Sequence, residues 1–320
     1  GLRRRKDGRW EATVTVGYDT SGRQVRKYYY GKTRSEAQQK LNKALRDLEQ
    51  GIPLIRENQT VAEFLDRWLE ESVKPNVRPS TYSRSEQVVR LHLKPVIGKV
   101  KLARLTPQQV QALLTLRLDQ GQSPRSCQII HAVLRAALNQ ALRWDLVARN
   151  VAKLVKPPRS VLKRTEPLTP DEVRTFLAAC RGERLEALFI LAVASGLRLG
   201  ELLGLRWEDV DLDKPVLRVQ HTLQRVGGVY SLTEPKTQQS RRTIIIPQVV
   251  VSALRAHKVR QAAERLAAGP HWDEWGGLVF TTDRGRPLNG CVVSHRFHNI
   301  LADAGVRRQR FHDLRHTHAT

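Results

Sequence analysis

Ala194-Ser195-Gly196-Leu197-Arg198-Leu199-Gly200-Glu201-Leu202-Leu203-Gly204-Leu205-Arg206-Trp207 is the stretch from which the rest of the chain can be read. Its counterpart lies far downstream, at Phe311-His312-Asp313-Leu314-Arg315-His316-Thr317-His318-Ala319-Thr320. Arg198 follows a very apolar run, Leu185 to Leu197, and is flanked by small residues that leave room for something bulky. His312 and Arg315, spaced i,i+3, share one face if the segment is a single helix. Two guanidiniums and an imidazole converging from separate elements suit a reaction at a phosphodiester that uses no metal. Each guanidinium can hold a phosphate oxygen bidentately and stays charged at any working pH. Between the two stretches lies Glu234-Pro235-Lys236-Thr237-Gln238-Gln239-Ser240-Arg241-Arg242, then the β-rich Thr243-Ile244-Ile245-Ile246-Pro247. This spacing predicts a hairpin with Lys236 on its turn.

Composition bounds the remaining possibilities. The chain has 320 residues, room for two or three domains with modest cores. Lys and Arg number 55 against 31 Asp and Glu, for a net charge of +24. So large an excess points to a polyanion, most simply nucleic acid; the plainer alternative is a solubilising surface. No apolar run is long enough for a membrane span, and no apolar segment follows the basic N-terminus as in a signal peptide. Cys127, Cys180 and Cys291 are odd in number and far apart, which fits a reducing cytoplasm better than a disulfide framework.

Read in order, residues 1–51 predict a small sheet plus a helix. Trp10, Ala12, Val14 and Val16 alternate with Glu11, Thr13 and Thr15, the period of a half-buried strand. Turn residues Asp19, Ser21 and Gly22 lead to a return strand, Gln24 to Tyr30. A helix then starts at Thr33, with Glu36 completing a capping box and Ala37, Leu41, Ala44, Leu45 and Leu48 as its apolar stripe. Residues 60–155 predict a four-helix unit opening at Thr60, Ser80, Thr106 and Ser123, the second helix ending before Pro95. The helix starts at Ser80 and Ser123 offer amide groups suited to phosphate, with Arg78, Arg84 and Arg125 close by. For these arginines a solvated helix face is the alternative. The basic stretch Lys153 to Pro167 carries Lys156, Pro157, Pro158, Arg159, Lys163 and Arg164, and reads as a linker lying along DNA. From residue 167 the pattern is mixed: helices at 170–181, 184–195, 249–267 and 291–304, a short helix at Arg198, and a small sheet. Its strands are read at 215–221, 229–232 and 242–247, with a further short strand at 278–281. The fold class is therefore mostly α with small β-sheets, α+β.

Gly196-Leu197-Arg198 with Glu201-Leu202, Lys236, and His312-x-x-Arg315-His316 occur in an order and spacing that resembles the tyrosine recombinase (phage integrase) family. The resemblance runs over the whole chain. It implies an arm-type DNA-binding domain at 1–51, a helical core-binding domain at 60–155 and a catalytic domain at 167–320. It implies Arg198, Lys236, His312 and Arg315 as catalytic residues, with no cofactor and no metal. It also implies double-stranded DNA with core-type and arm-type sites as partner, a homotetramer on that DNA, and accessory DNA-bending or excision proteins. Arm contacts are expected from Arg3, Arg5, Lys27 and Tyr29, and core contacts from Arg78, Arg125, Lys156, Arg159 and Arg164. Glu201 is expected to brace a helix or an arginine. The family's nucleophilic tyrosine follows the His-x-x-Arg motif, whereas Tyr18, Tyr28, Tyr29, Tyr30, Tyr82 and Tyr230 all precede His312. The expectation is thus a fragment that ends before its nucleophile, binding DNA without cutting it. Two alternatives stay open: a non-catalytic DNA-binding remnant, and a type IB-like topoisomerase. Zinc on His312 and His316 is disfavoured, because no glutamate lies between them as in a metalloprotease motif and Arg315 repels a cation.

Overall fold

The computed structural model describes residues 1–18, 22–49, 59–160, 166–234 and 241–319. These fall into two compact units, Gly1–Leu162 and Lys163–Thr320. Lys163 and Arg164, Lys236, Pro53 and Gly51 lie outside the described residues.

The first unit opens with an antiparallel sheet ordered β1-β2-β3: Leu2–Arg4, Trp10–Tyr18 and Gln24–Gly31. The alternation that predicts β2 decides which face is buried. Ala12 and Val14 pack with Ala37, Leu41 and Ala44 of α1 (Arg34–Glu49) in a small core. β1 was not anticipated; it is three residues long and too polar to show a period. The capping box at Thr33 forms only in part. Thr33 Oγ1 accepts from the Glu36 amide at 3.2 Å, but the Glu36 carboxylate takes the amide of Lys32 instead, at 2.8 Å. Leu45, expected inward, is 41% exposed because three small strands cannot cover so wide a stripe.

A second core in this unit is helical. α2 (Val61–Trp68) has its capping box from Thr60 and Glu63, and buries Val61, Phe64, Leu65 and Trp68. It runs on as a π-helical turn, Leu69–Val73. α3 (Pro79–Val88) does the same through Val89–Leu93 and is followed directly by α4 (Lys94–Ile97). Two expectations fail here. The N-cap of α3 is Arg78 rather than Ser80, because Pro79 occupies the first turn, where its missing N–H costs nothing. For the same reason Pro95 does not stop the chain's helical course; it sits in the first turn of α4. The Arg117 side chain donates to the carbonyls of Leu91 and His92 in the π-helical turn, at 3.1 and 2.9 Å. α5 (Pro107–Asp119) and α6 (Pro124–Arg143) complete the bundle, capped by Thr106 and Ser123. The supposed linker begins inside a 3₁₀ turn, Val151–Leu154, whose Ala152 carbonyl meets buried His131 at 2.8 Å.

The second unit has one continuous core. Phe176 of α7 (Pro170–Ala179), Phe189 of α8 (Glu186–Ser195), Phe297 of α11 (Gly290–Asp303) and Phe311 form a chain of ring contacts at 5.2–6.4 Å. The expected single sheet is in fact two: β4-β5-β8 (Val210–Asp211, Val216–Val219, Arg242–Ile245) and β6-β7 (Thr222–Val226, Val229–Thr233). The Gly227-Gly228 turn joins β6 to β7. Residues 278–281 form no strand, only isolated bridges from Leu278 to Arg206 and from Thr281 to Pro287. They are held instead by α10 (Gln248–Ala268), where the Gln261 amide nitrogen donates to the carbonyls of Leu278 and Val279. Among the described residues no helix is long and apolar enough to cross a membrane.

Candidate active site

α8 is apolar on every side and therefore buried, with Ala187, Leu188, Phe189, Leu191 and Ala192 inside. It ends at Gly196, left-handed at φ +57°, a conformation that a Cβ disfavours. A Cβ there would also lie 2.8 Å from the His318 ring, so glycine admits the last helix, α12 (Leu314–Ala319), to this junction. Two residues later the chain turns again into α9 (Leu199–Leu203), with Arg198 as its N-cap. At its far end, a Cβ on Gly204 would lie 2.7 Å from the Leu223 amide, so α9 rests closely on β6.

This packing brings the two quoted stretches together. Arg315 Nη1 donates to the Gly196 carbonyl at 3.1 Å, two positions before Arg198. His312 and Arg315 do not share one regular helix as expected: His312 lies in a 3₁₀ turn, Phe311–Asp313, and Arg315 in α12. Phe311, Asp313 and Leu314 point inward; His312 stays exposed and Arg315 half-buried. The rings of His312 and His316 meet edge to face at 6.3 Å. The turn is held by Asp313, a residue that sequence reasoning passed over. Its carboxylate accepts from the Arg310 amide at 3.2 Å and from the Arg310 side chain at 2.9 and 2.8 Å. Burial raises its pKa, but these bonds outweigh burial and hold it below the usual carboxylate range.

Glu201 plays the corresponding part for Arg198. Its carboxylate, 3% exposed, accepts from the Arg198 amide at 3.1 Å, Arg198 Nη1 at 2.8 Å and Arg242 Nη2 at 3.0 Å. Burial pushes this acid up; the hydrogen bonds from Arg242 and Arg198 prevail and hold it below its ordinary value. The Arg198 side chain nevertheless remains half exposed, so its guanidinium can face a ligand.

Lys236 lies in 235–240, outside the described residues. Among the described residues, the strands on either side, β7 and β8, pair in different sheets. Glu234 and Arg241, which flank the segment, are ion-paired at 2.5 Å.

The other candidates are spread over the first unit. Arg3 pairs with Glu11 at 2.8 Å, and Arg5 approaches Asp7 and Glu11 at 3.5 and 3.6 Å. Lys27 lies over the Tyr29 ring. Tyr29 itself packs half-buried against the small core, so the exposed rings of β3 are Tyr28 and Tyr30. Alternation along a strand permits either set to face out, and only the position of α1 settles it. Arg78 is half-buried, while Arg125, Lys156 and Arg159 are exposed.

The sequence model of the phage integrase family matches residues 166–320, and that of the phage integrase N-terminal SAM-like domain matches residues 60–115. A tyrosine recombinase XerC-like protein of Caldanaerobacter subterraneus subsp. tengcongensis is 32% identical over 97% of this chain and 84% of its own length. An integrase of Streptomyces ambofaciens is 33% identical over 98% of this chain and 81% of its own. The chain belongs to the tyrosine recombinase, or phage integrase, family. The recombinase fold is shared by the Tn1549 transposon integrase, solved with a circular intermediate DNA (TM-score 0.69, 22% identity, 82% of this chain and 85% of that one). A lambda integrase tetramer bound to a Holliday junction shares it more loosely (TM-score 0.57, 20% identity, 99% and 86%). In this chain the Arg198 and Arg315 stretches are parts that packing joins.

Proposed function

We propose that this protein is a site-specific recombinase that cuts and rejoins double-stranded DNA through a 3′-phosphotyrosine, integrating or excising a mobile element. The observation that supports this reading is the bond from Arg315 to the Gly196 carbonyl, two positions before Arg198, which ties the two distant stretches together. Arg198 and Arg315 hold the two non-bridging oxygens of the scissile phosphate, where charge develops in the transition state. A tyrosine hydroxyl attacks phosphorus, the bond to the 5′-oxygen breaks, and Lys236 protonates that oxygen. His312, exposed beside Arg315, donates to phosphate or takes up the tyrosine proton. The phosphotyrosine keeps the energy of the broken bond for religation, so the chemistry requires neither ATP nor a metal.

DNA is gripped by the first unit as well. Arg3, Arg5, Lys27 and Tyr29 with the exposed rings of β3 serve an arm-type site, on a sheet of a size that enters a major groove. Arg78, Arg125, Lys156, Arg159 and Arg164 hold the backbone of the core-type site. In this reading residues 1–51, 60–155 and 167–320 are the arm, core-binding and catalytic domains. The working form is a homotetramer on DNA in the cytoplasm, helped by accessory DNA-bending or excision proteins.

The test is trapping on a nicked suicide substrate by the full gene product, without added metal. A covalent adduct is expected, and Arg198→Ala or Arg315→Ala should lower its rate at least about a hundredfold, a loss of about 3 kcal/mol. Lys236→Ala should be relieved by a 5′-bridging sulfur, which leaves without a proton; the arginine variants should not be. DNA binding without any adduct would identify a non-catalytic occupant of integrase sites instead.

A further inference from the structure

Arg242 has no part in the chemistry just described, yet it shares the most buried carboxylate of the site with Arg198. It is the first residue of β8, the strand that resumes after the segment carrying Lys236. Its backbone is pinned there by pairing with Val219 of β5. Its side chain is part-buried and donates to Glu201 Oε2 at 3.0 Å. The same oxygen accepts the Arg198 amide, and the other oxygen takes Arg198 Nη1 at 2.8 Å. One carboxylate therefore bridges two guanidiniums from separate elements of the same core. Two cations alone would repel at this distance, and a buried carboxylate alone would tend to take up a proton. Each arginine makes the other's position tenable through the ionised acid between them.

We propose that Arg242 is a positioning residue of the recombinase: it keeps Glu201 ionised and oriented, and so fixes the Arg198 guanidinium towards the scissile phosphate. This rests on the recombinase reading above. Arg242 does not touch DNA in this scheme, so its removal should spare DNA affinity and impair the chemical step. Without Arg242, burial is the largest remaining influence on Glu201, and the acid should protonate as pH falls. A protonated Glu201 can no longer pair with Arg198. The variant should therefore acquire an acid limb steeper than the parent's.

The experiment uses the full gene product and single-turnover trapping on a nicked suicide substrate, followed from about pH 8 down to about pH 5.5. For Arg242→Gln the adduct rate should fall about tenfold at the upper end and further as pH drops, with gel-shift affinity unchanged. Arg242→Lys should recover most of the rate and lose the added steepness, since any cation in that place keeps Glu201 charged. Glu201→Gln, which cannot titrate, should be slow at every pH and gain no further loss when combined with Arg242→Gln. A 5′-bridging sulfur should not rescue Arg242→Gln. If it does, Arg242 acts through the Lys236 segment and the proposal is overturned. A rate profile for Arg242→Gln parallel to the parent's, or a loss confined to DNA affinity, overturns it too. Were Arg242→Gln to unfold, the lysine variant and the Glu201→Gln comparison still decide. If the unaltered protein forms no adduct, it is the recombinase reading that fails rather than this one.

Discussion

Two glutamates in this molecule are each buried between two arginines, and they teach different things. Glu11 in the N-terminal sheet is 3% exposed and pairs with Arg3 and Arg5, whose side chains are 73% and 43% exposed. Glu201 is equally buried, but its partners Arg198 and Arg242 are 50% and 29% exposed and come from separate elements. The first arrangement is local: β1 lies against β2, with Arg3 directly opposite Glu11, and water reaches the cations. The second is made by folding, joining a helix N-terminus to a strand 41 residues away in sequence. Water screens the pair of Arg3 with Glu11 strongly and the pair of Arg242 with Glu201 less.

Substitution can break this contrast. Glu201→Ala leaves two part-buried guanidiniums facing one another and should cost about 3 kcal/mol, read as a lowered melting temperature with faster hydrogen exchange in α9 and β8. Glu11→Ala should cost about 1 kcal/mol, with the loss confined to the sheet. Equal costs would mean that burial of the acid alone sets the price, whatever the exposure of its partners.

Acid sharpens the comparison further, because the second unit also buries His257. That ring is 2% exposed, meets the Val279 carbonyl at 2.8 Å and stacks on Trp207. Burial pushes its pKa down, the backbone bond to Val279 opposing only in part. The unfolded chain therefore binds the proton more readily than the folded one. The contribution of His257 is whole above about pH 6.5 and is lost as pH falls below it. Glu201 and Asp313, held below the ordinary range, contribute above about pH 4 and fail only at lower pH. Denaturant melts of the second unit should show two acid steps, and His257→Gln should flatten the upper one. A single step near pH 4 in the unaltered protein would count against this assignment. The smallest effect is expected at Leu45: Leu45→Lys should stay within about 0.5 kcal/mol, whereas Leu41→Ala, in the small core, should cost about 2 kcal/mol.

Period and capping were legible wherever one element decides its own conformation. Thr60, Thr106 and Ser123 cap their helices where the sequence places the starts, since each cap bonds within one helical turn, while the Thr33 box forms only in part. The alternation of Trp10, Ala12 and Val14 likewise told which side of β2 is buried. Misreadings came where a partner was needed. One sheet became two because β6, rich in polar residues, pairs only with its own hairpin neighbour. Residues 278–281 read as a strand by composition, but Gln261 on the buried face of α10 takes the carbonyls of Leu278 and Val279. For Tyr29 the sequence leaves core packing and DNA contact both open, and the side that α1 takes leaves it half-buried.

By itself the sequence determined the residue types of the site, their order, and the apolar run that buries α8. Spacing of Arg198, His312 and Arg315 along the chain sufficed for that, because motifs are local. Only the tertiary structure decided that Arg315 reaches the Gly196 carbonyl, that His312 sits in a 3₁₀ turn held by Asp313, and that Arg242 shares Glu201 with Arg198. The physical reason is the same in each case. A charged side chain can satisfy itself in water or on any nearby partner, so its sequence neighbours do not specify which bond it makes. Burial removes much of the water, and the packing of α8, α9, α12 and β8 sets the Gly196 carbonyl and the Glu201 carboxylate within reach.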